Sequence, residues 1–560
     1  MKLTERSTLY ADFLRLKNVK DRKIYFLYNS SKKVELTYSE FYREVLSFLY
    51  FLQKEKKIKR GSKIVIAEED NRILLTVFWA SILGGYIPVP LSTGIRDDQR
   101  RKIVNVVNDL GTACWLFTNS ENAAKLEGLS TDLNNKIGNE ERVFYYLTSD
   151  IENNDLPELI PPEKTDIAYI QYSSGSTGTP KGVLLSHQNI IANTDAIRHS
   201  FQYKGDDKVL SWIPFTHDLG LIFIHITSLS ICCDQFLMST SYFIKRPLMW
   251  MQIASDYQIT VTVAPNFGVH FFNQLFASHS NNGIGWNLSS LSRIGIAAEP
   301  ISYEVCNTFL KSLAPYGLSS TCFIPGYGLA EASVAVTCSE PGKQLRELTL
   351  DRGILKVGEA IAIREKGDRG GVSFVCLGPA LKDCQIRICD NSDTILPLGY
   401  LGHIQIKGDN VTSGYFNPES NLGLFSIDGW LKTGDLGFLT DEENLVMTGR
   451  SKNILILNGQ NYYPHDIELT LCHRVDGLSL GKVVACGLAG NSELRDRLIV
   501  FVLYKAFAPT YSQMEKSIKN ILSMEFGISE CDVFPVKRIP KTTSGKIQHH
   551  LLLQDYLSKA

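Results

Sequence analysis

The sequence predicts an α/β protein with a large domain of several largely parallel sheets and a small α+β domain at its C-terminal end. The chain has 560 residues, more than one hydrophobic core usually supports. Strand-like apolar runs alternate with helical patterns, as in parallel sheets. After Gly449-Arg450 the pattern changes, and roughly a hundred residues remain, enough for a second domain. We therefore predict domains over 1–451 and 452–560.

The predicted elements follow in chain order. Strands are expected at 63–67, 86–89, 113–118 and 166–172, and later at 454–457, 483–489 and 498–504. Helices are expected at 72–83, 101–110 and 511–526, and Ser186 is a suitable N-cap for one that runs towards His199. The uncharged stretch 73–95 is long enough to cross a bilayer. Its Gly and Pro residues favour a helix, a turn and a buried strand instead, so no transmembrane segment is expected.

Composition narrows the possible classes of function. Hydrophobic residues make up 44% of the chain and charged residues 21%, which excludes a disordered or low-complexity protein. The formal net charge of -1 argues against a dedicated nucleic-acid-binding protein. The twelve cysteines form no C-x-x-C pair, and no secretory signal follows Met1. Free thiols in a reducing cytoplasm are therefore expected.

A Ser/Gly-rich loop at 173–182 is the most informative segment. Its small residues let backbone N–H groups approach a polyphosphate, its hydroxyls add donors, and Lys181 adds positive charge. Pro180 and Gly182 replace the Gly and Ser/Thr of a P-loop, so the loop predicts nucleotide chemistry outside that class. The candidate nucleotide-binding residues of the loop are Ser174, Gly175, Ser176, Thr177, Gly178 and Lys181.

The loop and its flanks resemble the signature of the adenylate-forming superfamily, which includes acyl-CoA synthetases, peptide-synthetase adenylation domains, luciferases and fatty acyl-AMP ligases. The segment 211–221 has the form S-W-x-P-x-x-H-D-x-G-L and is particularly similar to fatty acyl-AMP ligases. Further matches follow in register at 264–267, 298–300, 327–331, 430–435, 449–452, 458–464 and 540–546. So many matches in order make a chance resemblance implausible.

The resemblance implies that a carboxylate attacks the α-phosphorus of ATP and gives acyl-AMP and pyrophosphate. Lys546 is expected to bridge the carboxylate and the α-phosphate region, and Glu331 to hold Mg²⁺ with the hydroxyl of Thr177. His217 is expected near the acyl site in a positioning or gating role. Lys452 is the expected hinge about which the small, mobile domain turns between the two half-reactions.

The same resemblance assigns the two substrate sites. Tyr327 is expected to stack on adenine, Asp435 to accept hydrogen bonds from the ribose, and Arg450 to reach ribose or phosphate. The remaining nucleotide candidates are Ala298, Glu299 and Gly328, and Ala297 stands where the family usually has Gly. The acyl-binding candidates are Trp212, Phe215, Asp218, Ile222, Asn266, Phe267 and Gly268. These segments are mostly apolar, which favours a medium- or long-chain fatty acid over an amino acid.

The sequence leaves more than one possible thiol as the acceptor of the acyl group. The family's fatty acyl-AMP ligases carry an insertion after the Tyr-Gly-x-x-Glu motif, and residues 332–377 separate Glu331 from Gly378 here. An insertion packed on the large domain would hinder rotation of the small one, which favours a phosphopantetheinylated acyl carrier protein on a separate chain. A fatty acyl-CoA synthetase and a non-catalytic acyl or nucleotide binder remain alternatives. A monomer or weak dimer is expected.

Overall fold

A computed structural model describes residues 7–93, 97–111, 114–119, 143–144, 156–174, 180–278, 285–368, 370–457, 460–488, 497–504, 511–541 and 547–559. Residues between Leu9 and Leu445 form one large hydrophobic core cluster, and a smaller one lies around the sheet of residues 63–118. A further cluster contains buried residues between Leu455 and Ile528 and none before them. These clusters agree with a small C-terminal unit, which one more cluster joins to the preceding segment through Tyr463, although the division at 451/452 itself stays a prediction.

The largest sheet has eight strands and positions most of the motifs. In spatial order its strands are Thr337–Cys338, Phe323–Tyr327, Arg293–Ile296, Val261–Ala264, Lys208–Ser211, Asp234–Met238, Lys23–Leu27 and Lys33–Thr37. Neighbouring strands are parallel except at the two outer pairs. The motifs that begin after Ser211, Ala264 and Ile296 therefore start at the same edge, where the carboxyl ends of parallel strands meet and α/β proteins bind ligands.

A second, wholly parallel sheet and a hairpin complete the predicted early elements. The sheet's strands are Ile87–Pro90, Lys63–Ala67, Cys114–Thr118 and Val143–Phe144. The strands Ile167–Ser174 and Pro180–Ser186 pair antiparallel, so the Ser/Gly-rich loop connects the two strands of a hairpin. The strand and helix predictions up to His199 are confirmed within a few residues at each end.

The helices of the large unit pack on these sheets. Ser186 caps the helix His187–Ser200 by accepting a hydrogen bond from Asn189 N, as predicted. The others are Leu9–Leu14, Tyr38–Lys54, Asn71–Leu83, Asp97–Leu110, Thr227–Ile231, Thr240–Lys245, Met249–Asp256, Asn266–Ala277 and Tyr303–Leu313, with a π-helix at Leu219–Ile226. In the described part of the chain, none of the helices has both the length and the apolar character needed to cross a membrane.

Antiparallel structure is more extensive than the alternating pattern predicts. One sheet consists of Cys384–Cys389, Gly402–Gly408, Leu431–Leu439 and Leu445–Arg450, with every pair antiparallel. The segment 332–377 contributes a separate pair, Glu347–Asp351 with Gly371–Val375. The expectation of largely parallel sheets holds for the first two sheets and is wrong here, because each strand pairs with the next strand along the chain and no crossover α-helix separates them.

The C-terminal unit is α+β, as predicted. A short hairpin, Leu455–Leu457 with Gln460–Tyr462, precedes the helix Pro464–Arg474. The strands Val483–Leu488, Arg497–Leu503 and Cys531–Val536 form its sheet, and the helices Tyr511–Phe526 and His549–Leu557 complete it.

Candidate active site

A cleft of about 1720 Å³ runs along the carboxyl edge of the eight-stranded sheet and continues to the C-terminal unit. This volume exceeds that of a typical small-ligand pocket, so there is room for more than one substrate. The predicted site residues that line the cleft are Lys181, His217, Asp218, Asn266, Phe267, Ala298, Glu299, Tyr327, Gly328, Glu331, Asp435, Arg450 and Lys452.

Asp435 connects two of the predicted nucleotide residues. The Tyr327 hydroxyl donates a hydrogen bond of 2.6 Å to Asp435 Oδ2, and Arg450 Nε lies 3.2 Å from Oδ1. Asp435 and Arg450 are directly opposed on the neighbouring antiparallel strands, which brings the two side chains together. Burial, and then the Asp435 charge, hold the pKa of Tyr327 well above its usual value. The tyrosine therefore remains a hydrogen-bond donor, and Asp435 is held at the wall of the cleft.

Glu331 is joined to the hairpin by a residue that no motif contains. The Tyr415 hydroxyl donates a hydrogen bond of 2.7 Å to Glu331 Oε1, and Lys181 Nζ lies 4.8 Å from the centre of the Tyr415 ring. Tyr415 reaches both because its segment pairs with the hairpin strand at Val183. The only sequence signal for Tyr415 is its place in a Gly-Tyr-Phe run, which is too weak to identify a site residue.

Gly328 fixes the approach of the chain to Glu331. A Cβ atom at this position would lie 1.7 Å from the carbonyl oxygen of Val334, so only glycine fits. The chain then enters the short 3₁₀ turn Ala330–Ala332 that carries Glu331. This close backbone packing holds the carboxylate at the wall of the cleft.

The carboxylate of Glu331 fits Mg²⁺ bound together with phosphates. No group of three or more His, Cys, Asp or Glu that would hold a metal by itself occurs among the described residues. Magnesium at nucleotide sites commonly takes one or two carboxylates and completes its octahedron with phosphate oxygens and waters. One protein carboxylate, that of Glu331, is therefore sufficient for a magnesium ion that binds together with ATP.

His217 and Asp218 form a pair at the start of the π-helix. His217 Nδ1 lies 2.6 Å from Asp218 Oδ1, which also accepts a hydrogen bond of 2.7 Å from Leu219 N. A Cβ atom at Gly220 would lie 2.5 Å from the carbonyl oxygen of Pro214, so the tight turn requires glycine. The π-helical geometry, which often occurs at functional sites, thus begins directly behind two residues that line the cleft.

The acyl candidates separate into two groups. Asn266, Phe267 and Asp218 line the cleft, whereas Trp212, Phe215, Ile222 and Gly268 lie beneath its surface. Trp212 stacks on Phe243 with ring centres 3.7 Å apart, and a Cβ atom at Gly268 would lie 2.5 Å from the Trp212 ring. The apolar wall is supplied instead by residues that sequence reasoning missed, namely Phe201, Phe223, Val263, Gly295, Ile296 and Ile324. Nothing but their apolar or small character marks them in the sequence.

Several predicted residues lie outside the described part of the chain. These are Gly175, Ser176, Thr177, Gly178 and Lys546, and of Ser174 only the backbone is described. Lys541 and Ile547, which flank the last motif, pair as an antiparallel bridge and both line the cleft. Burial lowers the pKa of Lys541, and the charge of Glu299 opposes that shift. Glu299 in turn accepts a hydrogen bond from Phe267 N.

The segment 332–377 contacts the C-terminal unit through Arg352. The guanidinium lies against the carboxylate of Asp466, with nitrogen–oxygen distances of 2.6 and 3.1 Å, and its centre lies 4.4 Å from the centre of the Phe526 ring. The side chains of Arg352 and Asp466 are 12% and 8% exposed. Asn461 Nδ2 also donates to the carbonyl oxygen of Leu355. A buried ion pair therefore joins this segment to the unit that follows Lys452.

Residues 15–416 match the family model described as AMP-binding enzyme, so the chain belongs to that family of adenylate-forming enzymes. A putative acyl-CoA synthetase of Caulobacter vibrioides is 30% identical over 89% of this chain and 86% of its own length. A medium-chain-fatty-acid–[acyl-carrier-protein] ligase, JamA, of Moorena producens is 28% identical over 94% of this chain and 91% of its own.

A solved structure agrees with these relatives in both fold and class. A fatty acyl-adenylate ligase, from a study of the enzymes of E. coli and L. pneumophila, superposes with a TM-score of 0.87 at 26% identity, over 99% of each chain. The resemblance to adenylate-forming ligases, and to fatty acyl-AMP ligases among them, is confirmed. ATP use follows from this membership.

Proposed function

We propose that this chain activates a medium- or long-chain fatty acid to acyl-AMP and then transfers the acyl group to the phosphopantetheine thiol of a separate acyl carrier protein. The observation that carries the proposal is a cleft that combines the polar pairs around Asp435 and Glu331 with an apolar wall. The polar and apolar parts match the two parts of an acyl-adenylate.

The adenylation step needs alignment more than acid–base chemistry. A carboxylate oxygen forms a bond to the α-phosphorus, the bond from that phosphorus to the bridging oxygen breaks, and pyrophosphate leaves with its electron pair. A fatty acid is already ionised at neutral pH, so no proton has to be removed. We assign Asp435 to the ribose hydroxyls, Lys181 and Lys546 to phosphate charge, and Glu331 to the magnesium that accompanies ATP.

A fatty acid fits the apolar wall better than an amino acid does. An amino acid would require a free carboxylate near the acyl site to pair with its ammonium group. Asp218 is the acid that the sequence places there, and it is engaged by His217 and by Leu219 N. The wall of Phe201, Phe223, Val263 and Ile324 offers apolar contact instead.

The contact between Arg352 and Asp466 supports a carrier protein as the acceptor. The ion pair, the contact of the Arg352 guanidinium with the Phe526 ring and the hydrogen bond from Asn461 to Leu355 would all have to separate for the C-terminal unit to rotate. The segment 332–377 would therefore hold this unit and oppose the rotation that the second half-reaction needs. We propose Lys452, which is exposed on the turn after Arg450, as the hinge of that rotation. The relative JamA, by its name a carrier-protein ligase, points the same way, while the Caulobacter relative keeps coenzyme A as the alternative acceptor.

A product assay tests the proposed function. The protein is mixed with fatty acids of graded length, ATP and Mg²⁺, with a phosphopantetheinylated carrier protein, with coenzyme A, or with neither. Acyl-AMP that persists with coenzyme A and is consumed by the carrier protein is the expected result. Rapid acyl-CoA formation would make the enzyme a synthetase, and no adenylate with any acid would favour a non-catalytic binder. Lys546→Ala should strongly impair adenylate formation in a folded protein.

A second assay isolates the acceptor question. Arg352→Met should increase acyl-CoA formation several-fold relative to acyl-AMP formation, because it releases the C-terminal unit. Lys343→Met is the matched control, since Lys343 lies in the same segment and is 69% exposed. If hydrogen exchange shows that the helix Pro464–Arg474 is loosened and coenzyme A use is still unchanged, the segment does not determine the acceptor.

We also propose that the enzyme is cytoplasmic and a monomer or weak dimer. The proposed compartment rests on the cysteines, all twelve of which are free thiols. Sedimentation of the purified protein would determine the oligomeric state.

A further inference from the structure

A lysine outside every motif lines the same cleft. Lys102 lies on the helix Asp97–Leu110 and borders the cleft together with Asn105, Tyr172 and Lys181. Tyr172 and Lys181 belong to the two strands whose connection is the Ser/Gly-rich loop. Lys102 is therefore a second cation on the side of the cleft where the hairpin lies.

The position of Lys102 is fixed by packing. Ile103, Val106, Val107 and Leu110 of its helix are each at most 4% exposed and belong to one cluster with Ile170 and Tyr172 of the hairpin. The Tyr172 hydroxyl also donates a hydrogen bond of 2.6 Å to Asp109 Oδ2 on the same helix. The helix is thus anchored to the hairpin, and the lysine is held beside it.

Lys102 differs in its surroundings from two other cleft lysines, Lys366 and Lys432. Lys366 lies 2.6 Å from Glu347, and Lys432 lies 2.5 Å from Asp393. No salt bridge joins Lys102 to an acid among the residues the structure describes, and burial lowers its pKa without an opposing charge from them. A partly buried ammonium group without a counter-charge is costly, so an anionic ligand is the natural partner.

We propose that Lys102 binds a phosphate group in the cleft, in addition to the residues of the family motifs. This inference rests on the proposed function, which brings two phosphate sources to the cleft: the triphosphate of ATP, and the phosphate of the phosphopantetheine arm. Lys102 neutralises charge and orients its ligand, and it takes part in no proton transfer.

Two variants separate these sources from a structural role. Lys102→Met keeps the length and removes the charge, whereas Lys102→Arg keeps the charge. Lys311→Met is the matched control, because Lys311 is an exposed lysine on the helix Tyr303–Leu313 and does not line the cleft. Three quantities are measured: kcat and KM for ATP in adenylate formation, transfer from pre-formed acyl-AMP to phosphopantetheine and to dephosphorylated pantetheine, and the melting temperature.

Lys102→Met should lower one of two quantities by about 10- to 100-fold, the range for a charge-assisted contact. A loss in kcat/KM for ATP assigns the triphosphate. A loss in transfer to phosphopantetheine, with transfer to pantetheine unchanged, assigns the arm. Lys102→Arg should restore at least part of the activity, and the melting temperature of Lys102→Met should not fall.

If neither kcat/KM for ATP nor the transfer to phosphopantetheine changes more than about twofold, or if only the melting temperature falls, the inference is wrong. If Lys102→Met does not fold, Lys102→Gln replaces it.

A calorimetric titration with pyrophosphate keeps this inference separate from the proposed function, because it requires no turnover. Weaker pyrophosphate binding by Lys102→Met than by Lys311→Met supports the phosphate site even if the wild-type protein forms no acyl-AMP. Equal binding by the two variants, together with unchanged phosphopantetheine transfer, overturns it.

Discussion

The polar end of the cleft is the part around Asp435 and Glu331, its apolar end is the part around Phe201 and Phe223, and the two are built in different ways. At the polar end, short hydrogen bonds connect side chains from separate elements, as between Tyr327 and Asp435 or Tyr415 and Glu331. At the apolar end, Phe201 and Phe223 meet edge to face with ring centres 5.2 Å apart, and a bare glycine, Gly295, completes the wall. The polar end is defined by which functional groups are present, and the apolar end by the space that the side chains leave.

This difference determines what a substitution does at each end. A change of charge at the polar end removes an interaction that no neighbour can supply, so its effect should be large and specific to ATP. A change of volume at the apolar end alters a shape, so its effect should be graded and depend on the length of the acid. The following substitutions test this contrast.

Asp435→Asn should have the largest effect. The variant keeps the shape of the side chain but removes the negative charge of the carboxylate, which lies against Arg450 and accepts a hydrogen bond from Tyr327. The ribose would therefore lose a charge-assisted hydrogen-bond partner. We expect the rate of acyl-AMP formation to fall about 100-fold or more. Asp428→Asn is the control, since Asp428 also pairs with an arginine, Arg387 at 2.9 Å, outside the cleft. Similar losses in both variants would mean that Asp435 acts through the sheet and not on ATP.

A buried polar network behind the apolar end predicts a pH effect on stability. Trp79 Nε1 donates to His225 Nε2 at 2.8 Å, and His225 Nδ1 lies 2.9 Å from Gln235 Oε1. Burial lowers the pKa of His225 to about 4. In the unfolded chain His225 binds a proton as the pH falls below about 6.5, whereas in the folded chain it does so only near pH 4. The free energy of unfolding therefore decreases as the pH falls from about 6.5 to about 4.

The His225 contribution should lower the free energy of unfolding of the wild-type protein by about 2 kcal/mol between pH 7 and pH 5. In His225→Gln the decrease over the same pH range should be smaller than in the wild type by about that amount. Urea unfolding followed by tryptophan fluorescence measures both decreases. His199→Gln, at an exposed position, should keep the wild-type dependence. An unchanged pH dependence in His225→Gln would show that the network does not exclude the proton.

Sequence reasoning was more successful at the polar end than at the apolar end for a physical reason. Asp435, Arg450 and Glu331 have functional groups that few structural positions need, so their motifs indicate chemistry directly. Phe201 and Gly295 are ordinary residues of a helix end and a strand, and only the fold brings them to the cleft. Trp212 shows the converse, because its motif marks it as important while the structure buries it against Phe243.

The fold divides in the same way. The parallel sheets follow from the alternation of apolar runs and helices, whose spacing is set by the crossover connections. The antiparallel sheet that carries Asp435 and Arg450 has no such spacing, since its strands are joined by loops of very different length and no crossover α-helix lies between them. Tyr415 and Arg352 could not be predicted either, because each acts through a contact with a residue far away in the sequence: Glu331 for the first and Asp466 for the second.

Gly295→Val should reveal the role of shape at the apolar end. A Cβ atom at Gly295 would lie 2.9 Å from Val263 Cγ1 and 3.2 Å from Phe201 Cζ, so a larger side chain narrows the channel. We expect kcat/KM to fall about tenfold for the longest acids used, which corresponds to about two methylene groups that can no longer be buried. The KM for ATP should not change. For the longest acids, kcat/KM of Gly295→Ala should lie between the values of the wild type and Gly295→Val. An equal loss for all chain lengths would contradict a role in the acyl channel.

Substitution of two adjacent alanines at the polar end should have the smallest effect. The informative result is whether each substitution raises or lowers the free energy of unfolding. Ala298 has φ of 77°, a left-handed conformation that costs a residue with a Cβ about 1–2 kcal/mol. Ala298→Gly should therefore raise the free energy of unfolding by about 0.5–1 kcal/mol, after the greater freedom of glycine in the unfolded chain is subtracted. Ala297→Gly has no positive φ to relieve and should lower the free energy of unfolding by a similar amount. Urea unfolding of the two variants measures both changes, and equal signs would show that Ala298 carries no strain. If Ala298→Gly is more stable but has a higher KM for ATP, the strained backbone is what holds this part of the polar end in place for the nucleotide.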